Sequence, residues 1–321
     1  MKSKIFAGFD IIGDLHGCVF TLIRLLEKLG YSDVNGIFSH PKRQAIFVGD
    51  LVDRGPHIRE VVKIVKAMVD AGEAECLMGN HEYNILGYYL WLPERQSFLR
   101  AHTAHHHRLI AETIDQFAPY PDEWEAALRW MQDLPLFLEK PGFRVVHACW
   151  DEALIQRYKQ EYGKNTVDVN FMRASVDEDS FPGLFMDRLT RGTDMPLPAG
   201  VEVLGRDGVS RDRFRTKFWS QSANTYADVV FQPDPLPDYM LYTPLSDEEK
   251  SRLITYGEEQ PPVFVGHYWL QGRPRILMPN IACLDYSAVK YGRLVAYRYD
   301  GEHRLENDKF LWVYVDPQRD D

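Results

Sequence analysis

Three short strings carry closely spaced oxygen and nitrogen donors: Gly13-Asp14-Leu15-His16-Gly17, Gly49-Asp50-Leu51-Val52-Asp53-Arg54-Gly55 and Gly79-Asn80-His81-Glu82. Each follows an apolar run. His147 and His267 stand further along, again after apolar runs. These side chains suffice for two divalent cations sharing one carboxylate, an arrangement that activates water and clamps a phosphoryl group. Asp14 and His16 are two apart, so in extended backbone both face one side. Asp50 has two oxygens and can bridge. Asn80 offers a neutral carbonyl oxygen, and imidazoles complete the set. No thiolate is among them, which favours Mn, Fe or Zn over a structural zinc site. Gly17, Gly49, Gly55 and Gly79 let the backbone turn sharply and approach an ion or phosphate. The Arg54 fork matches two phosphate oxygens. Asp53 and His81 pair a carboxylate with an imidazole that can protonate a leaving oxygen.

These residues must be positioned by the elements before them. Residues 9–12, 45–48 and 75–78 read as strands. Helices are predicted over 19–29, with Leu22, Leu25, Leu26 and Leu29 on one face, and over 58–71, with Val61, Val62, Val65 and Val69 inward. Gly30 and Gly72 suit their C-terminal stops. Such alternation predicts a parallel α/β sheet. At the carboxyl ends of such strands the ligands would converge. Residues 83–133 read as a helical insertion. Pro135 and Pro141 bracket a connector, and 144–146 is a strand that delivers His147. The stretch 151–261 is expected to be irregular and cap-like. It holds helices near 151–162 and 180–191, a proline-rich bend at 233–237, and capping-box spacing at Ser246 and Glu249. A strand at 263–265 delivers His267. Segments 280–284, 294–299 and 310–315 are expected to be antiparallel strands finishing a second sheet. The whole of 1–321 is expected to be a single domain.

With 45% hydrophobic residues in 321, the chain can bury a sizeable core. A net charge of -10 argues against bulk binding to nucleic acid or an anionic membrane. Bound cations and an arginine can still make one cleft positive. Cys18, Cys76, Cys149 and Cys283 are far apart and form no C-x-x-C pair, so they read as core thiols of a reduced compartment. Met1-Lys2-Ser3-Lys4 leads directly into a strand, with no signal-peptide pattern. The expected location is the cytoplasm.

Two other clusters invite a functional reading. His102, His105, His106 and His107 share helical spacing but lack carboxylates, and read as a polar helix face or site rim. Arg206, Arg211, Arg213, Arg215 and Lys217 lie among Phe214, Phe218 and Trp219. The ordinary reading is a solvated amphipathic segment; Arg211 and Arg215 are retained as candidates for substrate phosphate. An adenine site would need an aromatic shelf, for which Trp91, Trp124, Trp150 and Trp219 are candidates.

The three strings resemble the calcineurin-like metallophosphoesterase superfamily, in its phosphoprotein phosphatase branch and related bacterial diadenosine tetraphosphatase-like proteins. The resemblance is dense over 11–82 and then rests on His147 and His267. It implies a two-sheet β-sandwich flanked by helices. It also implies two divalent ions, manganese first and iron or zinc as alternatives, with a metal-bound hydroxide as nucleophile. Asp14 and His16 would bind the first ion, Asp50 would bridge, and Asn80, His147 and His267 would bind the second. Asn80 and Arg54 would contact substrate, and His81, oriented by Asp53, would be the general acid. Many superfamily members continue the last motif as G-H-x-H, whereas Gly266-His267-Tyr268-Trp269 has one histidine. Asp50-Leu51-Val52-Asp53-Arg54 matches protein phosphatases, while Ala282-Cys283-Leu284-Asp285-Tyr286-Ser287 is closer to the diadenosine tetraphosphatases. The expected activity is hydrolysis of a phosphoprotein or small phosphate ester. The alternative is symmetrical hydrolysis of a dinucleoside polyphosphate. A non-catalytic metal- or phosphate-binding module is the rival from another class, and no ligand is missing to support it.

Overall fold

A computed structural model describes residues 6–198, 200–204, 210–232 and 236–316. Met1 to Lys4, Arg206 and the start of the bend at Pro233-Asp234-Pro235 lie outside the described residues. The chain opens with β1 (Gly8–Ile12), α1 (Val19–Leu29), β2 (Arg43–Phe47), α2 (Ile58–Asp70) and β3 (Ala74–Cys76). Then come α3 (Asn80–Tyr89), α4 (Ala104–Phe117), α5 (Pro121–Gln132), β4 (Phe137–Lys140) and β5 (Phe143–Val146). Helices α6 (Glu152–Tyr162), α7 (Val169–Ala174) and α8 (Phe181–Arg191) precede a run of shorter elements. The last strands are β6 (Val263–Val265), β7 (Ile281–Cys283), β8 (Asp285–Tyr286), β9 (Arg293–Tyr299) and β10 (Phe310–Tyr314).

Two sheets result. One has the order β8-β9-β1-β2-β3, with β10 also on β9. Its β1, β2 and β3 are parallel, and β9 is antiparallel to β1. The other has the order β7-β6-β5-β4. Side-chain alternation shows how they stack. Ile11, Ile46, Val145, Phe264 and Tyr297 share one apolar cluster between the sheets. Their chain neighbours Ile12, Phe47, Val146, Val265 and Ala296 join the cluster under the helices. A two-sheet sandwich flanked by helices is therefore the architecture. Each fully buried Leu of α1 contributes roughly 1.5–3 kcal/mol to this packing. That helix stops where predicted, at Gly30 in the left-handed region with φ 94°.

Three expectations need correction. Residues between Pro135 and Pro141 are not a connector: they form β4, antiparallel to β5. The prolines flank this edge strand, where no ladder donor is lost. Within 83–133, the helices are interrupted by a two-stranded hairpin of Trp91–Leu92 and Ser97–Phe98. Lastly, the C-terminal strands do not together finish the second sheet. Only β7 does so, parallel to β6. The chain crosses over after Leu284, and β8, β9 and β10 complete the first sheet. Alternation reveals which face is apolar but not which strand lies alongside.

In 151–261, α6, α7 and α8 pack into the main core through Ile155, Phe171 and Phe185. Beyond them, residues from Met195 to Leu245 bury a separate small cluster around Phe214 and Tyr226. Ser246 and Glu249 form the anticipated capping box of the Asp247–Arg252 helix. All four cysteines are buried thiols. Among the described residues, no helix is long and apolar enough to cross a membrane.

Candidate metal centre

Asp14 and His16 leave the end of β1 in a turn that docks on Asp50. The Leu15 and His16 amides both donate to the Asp50 carbonyl, at 3.0 and 2.9 Å. Asp50 is in turn gripped by Glu82. That buried carboxylate accepts from the amides of Asp50 (2.9 Å), Leu51 (2.8 Å) and Gly79 (2.8 Å). The His81 amide, in the first turn of α3, donates to Asp50 Oδ1 at 3.0 Å. Gly79 has no room for a side chain: a Cβ there would lie 2.2 Å from Asp50 Oδ1 and 2.6 Å from its amide nitrogen. Five site residues hold left-handed backbone: His16, Asp50, Asp53, Arg54 and His267, with φ from 43° to 70°. Each costs of order 1–3 kcal/mol, which the surrounding packing and hydrogen bonds must offset.

Around Asp50 the side chains converge in two groups. Ligand atoms of His16, Asp50 and His81 lie within 4.8 Å of one another, and so do those of Asp50, His147 and His267. His147 Nε2 is 3.5 Å from Asp50 Oδ1, and His16 Nε2 is 3.6 Å from Oδ2. Asn80 Oδ1 lies 2.8 Å from His267 Nδ1 and 3.2 Å from His147 Nε2. Asp14 belongs to neither three-residue group; its Oδ2 accepts the His267 amide at 3.1 Å. All these residues are buried except Asn80, which is half-buried.

The donor set fits divalent cations. His16 Nδ1 donates to the Val52 carbonyl and His147 Nδ1 to that of Val48, each at 2.8 Å. Both Nε2 atoms are thereby aimed inward, the orienting contact that metal-binding imidazoles make. His267 Nε2 is buried with no hydrogen-bond partner. Burial, reinforced by Arg54 and Arg215 respectively, keeps His16 and His267 far below the usual imidazole range. They are neutral, the form that ligates. Burial alone would raise the Asp50 carboxyl, but the imidazoles of His147 and His81 outweigh it and hold it well below its ordinary value. Burial would likewise discharge His147, yet Asp50 pushes it up to about 10. A proton is thus held where a cation would satisfy the same charge.

Next to this centre, His81 Nδ1 is 2.6 Å from Asp53 Oδ2. Burial lowers His81 to about 3 and raises Asp53 to about 8. Thr113 of α4 clamps Asp53 from behind. Its hydroxyl donates to Asp53 Oδ1 at 2.5 Å and accepts the Asp53 amide at 2.9 Å. Arg54 Nη1 lies 3.0 Å from His16 Nε2, and its guanidinium sits 4.5 Å from the centroid of Trp269. Arg54, Asp50, Asn80 and His267 face a cavity that Arg211 and Arg215 also line.

Other residues named from the sequence go elsewhere. Arg213 pairs with Asp194, and Lys217 donates to the Ala227 carbonyl at 3.0 Å. His102 stacks between Tyr88 and Phe98, at 3.7 and 4.1 Å. Of the four tryptophans considered for a shelf, none lines the cavity; Trp269 does. Thr113, Trp269 and the gripping role of Glu82 were missed. Glu82 had a signal, three residues after Gly79 at capping-box spacing. Thr113, sixty residues from Asp53, had none.

The profile of the calcineurin-like phosphoesterases matches residues 8–189. The chain belongs to this family. An asymmetrical bis(5'-nucleosyl)-tetraphosphatase PrpE of Halalkalibacterium halodurans is 47% identical over 83 residues, 26% of this chain and 34% of the relative. Its counterpart in Oceanobacillus iheyensis is 49% identical over 73 residues, 22% of this chain and 29% of the relative. The likeness thus spans about a third of those relatives' length. A protein serine/threonine phosphatase of Saccharomyces cerevisiae superposes with a TM-score of 0.50 at 14% identity, over 98% of this chain and 81% of that one. Between members so distant, this metallophosphoesterase likeness is one of fold.

Proposed function

We propose that this metallophosphoesterase hydrolyses phosphate esters by phosphoprotein-phosphatase-like chemistry at a dinuclear centre. The observation that carries the reading is the pair of buried ligand groups sharing Asp50 beside Arg54 and the His81–Asp53 pair. Asp14, His16 and Asp50 would hold one ion. Asp50, Asn80, His147 and His267 would hold the other, with manganese preferred to iron or zinc. When bound, the ions supply positive charge for the phosphoryl oxygens and make water acidic enough to react near neutral pH. Arg54 presents a two-pronged donor to the phosphate, and Arg215 adds a second cation from the cavity wall. Burial lowers the Arg215 pKa. The His81–Asp53 pair holds one proton across its 2.6 Å contact, and His81 passes it to the departing oxygen while Asp53 fixes its ring.

A second reading, hydrolysis of a dinucleoside polyphosphate, is favoured by the cavity. At about 970 Å³, with Trp269, Tyr286, Tyr291 and Tyr314 on its walls, it suits a small molecule better than a protein surface. The unit around Phe214 and Tyr226 forms part of its wall through Arg211 and Arg215, and we assign it the cap role within a single domain.

The deciding experiment supplies manganese-loaded protein with diadenosine tetraphosphate and, in parallel, a phosphopeptide, using Asp50→Asn as the blank. Efficient cleavage of the dinucleotide is the outcome expected from the cavity. Phosphate released from the peptide alone would favour a phosphoprotein substrate. No turnover of any phosphate ester by metal-loaded protein would overturn the enzymatic reading in favour of a binding module.

A further inference from the structure

The cavity extends well past the metal centre. Among the described residues, Arg54, Arg211, Arg215, Lys290 and Arg293 line it against a single carboxylate, Asp50. This is a strong local excess in a chain of net charge -10, and such a cleft concentrates anions. One phosphoryl group is matched by two divalent ions and Arg54; the cations further out exceed what it needs.

Trp269 organises that excess. It stands two residues after His267, where the G-H-x-H pattern would put another histidine. An indole there cannot ligate a metal through a ring lone pair, but its face attracts cations. Two are present: the Arg54 guanidinium 4.5 Å from the ring centroid and Lys290 Nζ at 3.6 Å. The same indole thus ties the arginine at the reacting phosphate to a lysine further along the cavity. Lys290 closes a 3-10 turn (Ala288–Lys290) flanked by Ser287 and Tyr291, both left-handed at φ 58°. Its direction is set by the backbone as well as by the ring.

We infer that Lys290, held on Trp269 beside Arg54, is the subsite for a second phosphate, and that the substrate is a small molecule carrying two or more linked phosphates. The inference rests on the phosphohydrolase reading and narrows it. It places substrate choice on residues 269–293, outside the stretch that the family profile matches.

AMP and ADP differ by one phosphate and share everything else, so calorimetric titration of the manganese-loaded protein with each isolates this subsite. ADP is expected to bind about tenfold more tightly, the scale of one charge-assisted contact. In Lys290→Ala the gap should fall below threefold, and in Lys290→Arg it should persist. Equal affinities in the unaltered protein, absence of ADP binding, or a gap that survives Lys290→Ala would each overturn the subsite. Turnover of p-nitrophenyl phosphate, measured on the same preparations, reports on the phosphohydrolase reading separately. Turnover without an affinity gap removes the subsite and leaves the enzyme. A gap without turnover supports the subsite and removes the hydrolytic reading.

Discussion

The proposed acid–base pair of this site has a third member. His81 is held by Asp53, and Asp53 is held at both its carboxylate and its amide by Thr113. A buried group losing such partners costs about 1–3 kcal/mol. The consequence for catalysis is separable from that for stability. His81→Asn should retain metal and lose roughly 10²–10⁴-fold in kcat on alkyl phosphates, the usual scale for a general acid. The loss should shrink on p-nitrophenyl phosphate, whose leaving group needs no proton. Thr113→Val should show the same dependence on leaving group at smaller amplitude, about tenfold, and Thr113→Ser should restore it. Rates for a series of aryl and alkyl phosphates decide the matter. An equal loss for every leaving group would place Thr113 among residues that merely support the fold.

At the scale of elements, the strand ends and the start of α3 carry the geometry. Asp50 follows β2 and Asn80 opens α3, and the two turns meet at Gly79 with no space to spare. Gly79→Ala should therefore push the Asp50 turn off Glu82. Overpacking of this kind costs about 1–3 kcal/mol. The measurement is the denaturation midpoint together with metal stoichiometry. A fall in both is expected, and unchanged metal content would mean that the two turns move independently. Helix α4 acts at the same scale. Besides Thr113 it supplies Gln116, which accepts the Ile58 amide at 2.6 Å and donates to the Gly55 carbonyl at 2.9 Å. Helix α4 thus braces the loop bearing Asp53 and Arg54.

Across the whole molecule, three strands of the first sheet, β1, β2 and β9, are tied together by Asp10, which is fully buried and accepts Arg43 and Arg298 at 3.0 Å each. The site end instead gathers acids and imidazoles, and its charge is balanced through a proton on His147. Metal ions binding there should stabilise the fold by mass action. A ligand at a hundredfold its Kd adds about 2.7 kcal/mol, which for a chain of this size is several degrees in Tm. Chelation followed by thermal melting should show that drop, and manganese should reverse it. An unchanged Tm in protein that demonstrably lost its ions would contradict a role for these ligands in joining the strand ends.

Much of this was legible in the residues themselves. The strings around Asp14, Asp50 and Asn80 are local, and each follows its own strand, so both the first three strands and the proposed ligands could be read in order. Helix α1 and the Ser246 cap were equally local, because apolar spacing and capping side chains act within a few residues. Pairing was not. Residues 310–314 look alike whether they join the first sheet or the second, and only packing against β9 and α1 decides it. Thr113 and Trp269 are ordinary in sequence. Their roles come from a helix laid behind Asp53 and from an indole placed between Arg54 and Lys290. Which side chains can offer metal-binding atoms is a matter of local chemistry, which sequence determines. Which side chain stands behind a catalytic pair, and how far a cleft runs beyond it, depends on contacts between segments that only the tertiary fold brings together.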